Sequence, residues 1–154
     1  MERGLIIVRA ATLLDVPQMV EVGGQAHAES PVYARLPFDP VRAGATASGL
    51  IAHPDGLALV AVQAGAIVGG TLATVAEHWS GGRYCHELIT VVRPDRRGAR
   101  IGLRLLRALI EWARGTGAPL LVAGVSSGIA PERAARLYEL AGMRRIGAMM
   151  EVNL

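Results

Sequence analysis

The hydrophobic positions change period several times along the chain, and each change predicts an element. Residues 5–9 are a short apolar run, the pattern of a strand near a sheet edge. A helical stretch follows through about residue 27, opened by Thr12 and Asp15 in capping-box spacing with Pro17 in the first turn. The Gly23-Gly24 pair weakens that helix, and nothing in the pattern accounts for it. Pro31, Pro37 and Pro40 exclude a regular helix through residues 28–40, which read as a loop. Residues 41–53 predict a second helix, ended by His53-Pro54-Asp55-Gly56. Residues 57–76 are uncharged and apolar, with β-branched residues on both sides of Gln63-Ala64-Gly65, which predicts two buried strands in a hairpin. A strand then runs from residue 84 to Pro94, whose ring cannot donate to a ladder.

The strongest periodicity comes next. Gly102, Leu105, Leu106, Leu109, Trp112 and Ala113 fall on one helical face, and Arg100, Arg104, Arg107, Glu111 and Arg114 on the other. Residues 119–125 predict another buried strand. A helix starting near Pro131 carries Ala134, Leu137, Tyr138 and Ala141 on its apolar face and is closed by Gly142. Residues 143–153 predict one or two final strands. The order β-α-α-β-β-β-α-β-α-β predicts a mixed α/β (α+β) sandwich with a mostly antiparallel sheet, and 154 residues suit a single domain over the whole chain.

Composition narrows the classes. All 16 basic residues are arginine, and the net charge is only +3. Seven of the arginines lie between Arg93 and Arg114, so positive charge is concentrated at one place. A nucleic-acid-binding reading of that cluster is the weaker one, because no aromatic residues interleave it. The uncharged 56–76 stretch imitates a membrane span, but its central turn signal speaks for strands, and no signal peptide precedes the first strand. We therefore expect a soluble, cytoplasmic protein without membrane partners. The single Cys85 fits a reducing compartment and, lying within a strand, reads as buried and inert. The four histidines and one cysteine show no metal-site spacing, so no metal is expected. There is no Walker-type Gly-x-x-x-x-Gly-Lys and no Gly-x-Gly-x-x-Gly after a first strand.

The junction from Val91 and Val92 through Pro94 into the amphipathic helix is the candidate site. A helix start offers N–H groups with no partner inside the helix, together with the positive end of the dipole, and so suits a phosphate. Gly98 would let a ligand approach the backbone closely, and Gly102 would let the helix pack tightly against the strands. The alternative on these residues alone is an ordinary strand-to-helix connection with a solvated arginine face.

Val92-x-Pro94-x-x-Arg97-Gly98-x-x-x-Gly102 followed by a leucine-rich helix resembles the acetyl-CoA motif of the GNAT N-acetyltransferase superfamily. In that motif, Gln/Arg-x-x-Gly-x-Gly/Ala, backbone amides cradle the pyrophosphate. Arg97 and Gly102 match its ends, whereas Arg100 stands where a central glycine is usual. The resemblance implies a twisted sheet flanked by helices on both faces, with Val91, Val92, Arg97, Gly98, Ala99, Arg100, Ile101 and Gly102 holding acetyl-CoA. Ala134-x-x-Leu137-Tyr138-x-x-x-Gly142 is similar to a second family pattern, whose tyrosine protonates the departing thiolate in many relatives. A core tyrosine at the sheet rim is the alternative for Tyr138. Pro131 stands where relatives often carry Asn.

Glu87, a carboxylate within a mostly apolar strand, is the base candidate, taking the amine proton directly or through water; a charged strand-end residue or a partner of one of the arginines is the alternative. His86 points to the opposite sheet face. Glu29, Tyr33 and Asp39 sit in a proline-rich segment that resembles a bacterial and phage-associated subgroup; they are the acceptor-binding candidates, of which Glu29 and Asp39 would attract a cationic amine, and a surface connection pinned by Tyr33 and Phe38 is the alternative. The implied activity is transfer of an acetyl group to a primary amine on a small molecule or peptide. A catalytically silent acyl-CoA-binding module would keep the turn and need neither Glu87 nor Tyr138. Trp79 is read as a partly buried loop residue; a substrate-wall residue or an oligomer contact are its other readings, so a homodimer stays open.

Overall fold

The computed structural model describes residues 4–154. Its strands are β1 (Ile6–Ala10), β2 (Gly56–Gln63), β3 (Ala66–Glu77), β4 (Arg83–Val92) and β5 (Leu121–Val122); its helices are α1 (Val16–Glu29), α2 (Pro40–Ala52), α3 (Ala99–Gly115) and α4 (Pro131–Leu140). The five strands lie in sequence order in one sheet. All neighbours are antiparallel except β4 and β5, which are parallel. The fold is thus the mixed, mostly antiparallel α/β sandwich that the pattern predicts.

The 56–76 stretch forms the β2–β3 hairpin through Ala64 and Gly65, both at positive φ. Among the described residues no helix is long and apolar enough to cross a membrane. Leu105, Leu106 and Leu109 of α3 are fully buried against Leu57, Leu59, Ala61 and Val68 on one sheet face. On the other face Val22 of α1 packs with Ala58, Val60 and Ile67, and Ile51 of α2 adjoins them. Helices therefore cover both faces. At about 25 cal/mol per Å² of buried apolar surface, the leucine-rich face of α3 is a principal source of the core's stability.

Two irregularities position the site. The β4–β5 ladder holds only Cys85↔Leu121 and His86↔Val122, although β4 runs on to Val92. The parallel pair therefore splays just where Glu87 begins. In the β3–β4 ladder Leu72 pairs Ile89 while Ala73 pairs Glu87, so Leu88 is an extra, bulged residue. A bulge shifts the side-chain alternation by one. As a result Glu87 below it and Thr90 and Val92 above it all turn toward α3 and α4.

Several expectations need correcting. Residues 143–153 form no strand, and residues 144–154 are exposed. The segment has suitable residue types but pairs with neither edge of the sheet, and strand propensity without cross-strand packing is weak. Side chains hold it instead: Arg145 binds Glu132 and Glu139 of α4, and Arg35 binds Glu151 and Asn153. The predicted 119–125 strand shrinks to Leu121–Val122, half-buried, because the sheet opens beyond it. Trp79 is 91% exposed, stacked only on His78 in a protruding turn. The start of α1 is as predicted: Thr12 and Asp15 form the box of a short 3-10 turn, Leu13–Asp15, with the Asp15 carboxylate accepting the Thr12 N–H at 2.7 Å, and Asp15 is then the N-cap of α1 with Pro17 in its first turn. That helix runs on to Glu29, two residues short of the helix-breaking Pro31.

Candidate active site

A cavity of about 750 Å³ lies beside the splay, with walls from both faces of the sheet. From the α3–α4 side come Gly98, Gly102, Leu106, Leu137 and Tyr138; from the α1–α2 side come Met19, Val22, Gly23 and Ala47. Val91 and Val92 line it where β4 parts from β5. Its roof is the segment after α1, latched to the β5–α4 loop. The buried Ser30 hydroxyl donates to the Ser127 carbonyl and accepts the Tyr33 N–H, and the Tyr33 hydroxyl donates to Ser126 Oγ at 2.8 Å.

The predicted catalytic pair is one hydrogen-bonded unit. Tyr138 Oη donates to Glu87 Oε1 at 2.7 Å, and the Gly124 N–H donates to Glu87 Oε2 at 3.2 Å. Glu87 is only 5% exposed and touches no arginine; the tyrosine and a backbone amide of the splayed loop satisfy it. Burial, and then the charge of the adjacent Glu87 carboxylate, push the Tyr138 phenol well above the ordinary tyrosine range, with the Thr90 hydroxyl opposing weakly. Tyr138 is therefore a phenol, a proton donor, at any neutral pH. Tyr138 lines the cavity, whereas Glu87 stands behind it.

The start of α3 has the features of an anion cradle. No side chain caps it, and its first turn holds no acidic residue. A Cβ built on Gly98 meets nothing within 4 Å, so the backbone there is open to a ligand. The N–H groups of Ala99, Arg100 and Ile101 belong to this first turn. The Ile101 side chain is buried in the core and the Arg100 side chain is exposed, away from the cavity walls. Gly102 has a different role from the one expected. A Cβ there would come within 2.6 Å of Leu137 Cδ2 but only 3.9 Å of Val92, so it lets α3 and α4 approach each other more than it lets α3 approach the sheet.

The remaining predicted residues are dispersed. The Arg97 guanidinium is bound by both oxygens of Glu29 and donates to the Val92 carbonyl at 3.3 Å. Glu29 is thereby occupied, its carboxyl held below the usual range by Arg97. Asp39 is the N-cap of α2, accepting the Val41 and Arg42 N–H groups. Of the three acceptor candidates, only Tyr33 reaches the cavity. Sequence reasoning missed Arg133 and Arg136, which line the cavity one turn apart on α4. Their shared spacing with Ala134 and Leu137 was the available signal. Among the described residues no group of His, Cys, Asp and Glu could hold a metal ion.

A family model, the acetyltransferase (GNAT) family, matches residues 25–143. The chain belongs to the GNAT acetyltransferase family. Comparison with curated protein sequences gives no match. Solved structures share the fold. A transcriptional regulator from Bacillus halodurans C-125 superposes with a TM-score of 0.76 at 21% identity, covering 97% of this chain and 100% of that one. A putative acetyltransferase from Agrobacterium tumefaciens str. C58 gives 0.72 at 21%, covering 96% and 99%. A ribosomal-protein-alanine N-acetyltransferase from Brucella melitensis biovar Abortus 2308 gives 0.69 at 20%, covering 97% and 99%. At these identities the GNAT likeness to solved structures is one of fold.

Proposed function

We propose that the chain acts as one domain that transfers an acetyl group from acetyl-CoA to a primary amine. The observation that carries this reading is the Tyr138–Glu87 hydrogen bond at the mouth of the splay, facing an uncapped helix start across one cavity. Acetyl-CoA, when bound, supplies an activated thioester. The residues fit it: open backbone at Gly98, free first-turn amides, and Arg133 and Arg136 on the facing helix for phosphate charge.

Tyr138 holds its proton at the junction and delivers it to the departing sulfur. Beside an ionised Glu87 the phenol is a poor acid, so its donation is coupled to Glu87. When Glu87 takes up the proton lost by the amine, relayed by water because Tyr138 screens it, its charge vanishes and the phenol regains acidity. The carboxyl proton then returns to the phenol oxygen, and both groups end as they began. Glu87 thus serves as a relay partner rather than a base in contact with the amine.

The test is thiol release from acetyl-CoA across a panel of primary amines, alongside thermal melting with acetyl-CoA, CoA and NAD. Preferential binding to the folded state raises the melting temperature. We expect acetyl-CoA and CoA to raise it and NAD not to. No shift at saturating acetyl-CoA would refute the coenzyme site, and a shift without thiol release would favour a silent binding module.

A further inference from the structure

The α1–α2 half of the cavity has walls whose chemistry is selective. Among the described residues no Asp or Glu lines any part of the cavity. Glu87 stands behind Tyr138 with both oxygens engaged, and Glu29 is bound to Arg97. The charged or titratable side chains that do line it are Arg97, Arg133 and Arg136 at the coenzyme end, the neutral phenols Tyr33 and Tyr138, and His27, whose ring lies 5.2 Å from that of Phe38. An acceptor with a second ammonium group would bury it without a counter-charge, which is strongly unfavourable.

The glycine pair in α1 supplies an independent observation. The two residues have different surroundings. A Cβ on Gly24 would lie 3.1 Å from Phe38 Cε1, so this glycine seats the phenylalanine. A Cβ on Gly23 would meet nothing within 4 Å, and Gly23 lines the cavity. A glycine inside a helix costs about 1 kcal/mol against alanine. Packing explains that cost at Gly24; at Gly23 the only gain is cavity space. The α1–α2 half of the lining is mainly apolar, with Met19, Val22, Ala47, Ile67 and Leu72, and Thr46 and His27 are its polar members.

We propose that this half of the cavity receives the single bulky apolar substituent of an uncharged-bodied primary amine, and that Gly23 sets the size of substituent admitted. The assignment rests on the acetyltransferase reading for its amine and adds the class of acceptor. The amine nitrogen points to Tyr138, its apolar body lies between α1 and α2, and linear diamines, polyamines and amino sugars are excluded by their additional charges.

The experiment measures binding apart from transfer. Phenethylamine and a linear aliphatic diamine are titrated calorimetrically into the CoA-saturated protein and its Gly23→Ala and Gly23→Leu variants. Thiol release from acetyl-CoA is followed with the same amines. Burying a phenyl-sized group predicts a preference for phenethylamine over the diamine of about tenfold or more. Gly23→Leu should remove that preference while the acetyl-CoA melting shift persists, and Gly23→Ala should reduce it while raising the melting temperature. Equal or tighter binding of the diamine overturns the proposal, as does undiminished phenethylamine binding in Gly23→Leu. If Gly23→Leu does not fold, unchanged preference in Gly23→Ala overturns it equally. Selective binding without thiol release from any amine would sustain the pocket and refute the transferase reading; transfer to diamines and phenethylamine alike would do the reverse.

Discussion

A single hydroxyl links the two halves of the site, so its removal tests them together. Tyr138→Phe keeps the ring between α3 and the splay and deletes the donor to Glu87. Turnover should fall on the order of 10²-fold, as for a lost general acid. Stability should fall as well, by about 1–3 kcal/mol, because a buried carboxylate loses one of its donors. Glu87→Gln, which removes the charge, should restore much of that stability in the double variant without restoring turnover. Turnover with a confirmed acceptor and urea unfolding of the four proteins check both outcomes. The phenol also predicts an alkaline limb. Its folded value is raised, so its stabilising share is complete below the unfolded value near pH 10 and is lost as pH rises past it. Tyrosinate absorbance attributable to Tyr138, by difference from Tyr138→Phe, should therefore emerge only with unfolding. Earlier emergence in the folded protein would contradict the buried pairing.

At the scale of elements, α3 was legible because its two faces differ so sharply in charge; its buried leucines and exposed arginines lie where the wheel puts them. Glu87 and Tyr138 were legible singly, as a carboxylate in an apolar strand and a tyrosine on an inward helix face. Their mutual bond was not, because it depends on the Leu88 bulge and on a parallel pair that ends after two residues. Neither feature leaves a local pattern. Asp39 misled for a related reason: an acidic residue before a proline-led helix is first of all an N-cap, and it satisfies Val41 and Arg42 here. The final strands failed because propensity was read without the cross-strand pairing it needs; side chains tie that segment to α4 and Arg35 instead. Packing between α3 and α4 gives the element-scale prediction. Gly102→Ala would put a Cβ 2.6 Å from Leu137 Cδ2, the end of a flexible side chain that must swing aside, so the net loss should be small, about 1 kcal/mol or less after alanine's helix propensity is counted. Leu137→Ala should relieve the clash, so the double variant should be less destabilised than the two single changes summed. Strict additivity in thermal unfolding would mean that the helices do not meet there. Arg100→Gly, by contrast, should leave CoA affinity nearly unchanged, since only the backbone of that residue belongs to the cradle; a marked loss would assign its side chain to the phosphates.

At the scale of the molecule, buried carboxylates bound to arginine set how the fold responds to acid. Asp15 is the strongest case. It is 8% exposed, and both its oxygens are taken by Arg9, at 2.7 and 3.0 Å, with the Thr12 N–H and hydroxyl adding to one of them. The contact fastens the end of β1 to the start of α1, and Arg9 lies on a strand whose outer neighbour is solvent, so few other contacts do that work. The Arg9 guanidinium holds the Asp15 carboxyl far below the usual carboxylate range, burial opposing it. The sign follows: between the two values the unfolded chain binds a proton that the folded chain does not, so stability rises with pH there. The contribution is complete above the unfolded value near pH 4 and is lost progressively as pH falls below it. Two exposed carboxylates, Glu29 bound to Arg97 and Asp95 beside Arg93, shift in the same direction, but solvent screening leaves them a minor share of that limb. Asp15→Asn should destabilise the protein at neutral pH by about 1.5–3 kcal/mol, the range for hydrogen bonds to charged groups. The gap between variant and wild type should stay constant above about pH 5 and close steadily below pH 4. Urea unfolding at a series of pH values measures that gap. A gap that does not narrow on acidification would show that Asp15 contributes through shape alone, and that the charge on Arg9 is irrelevant to the seam between β1 and α1.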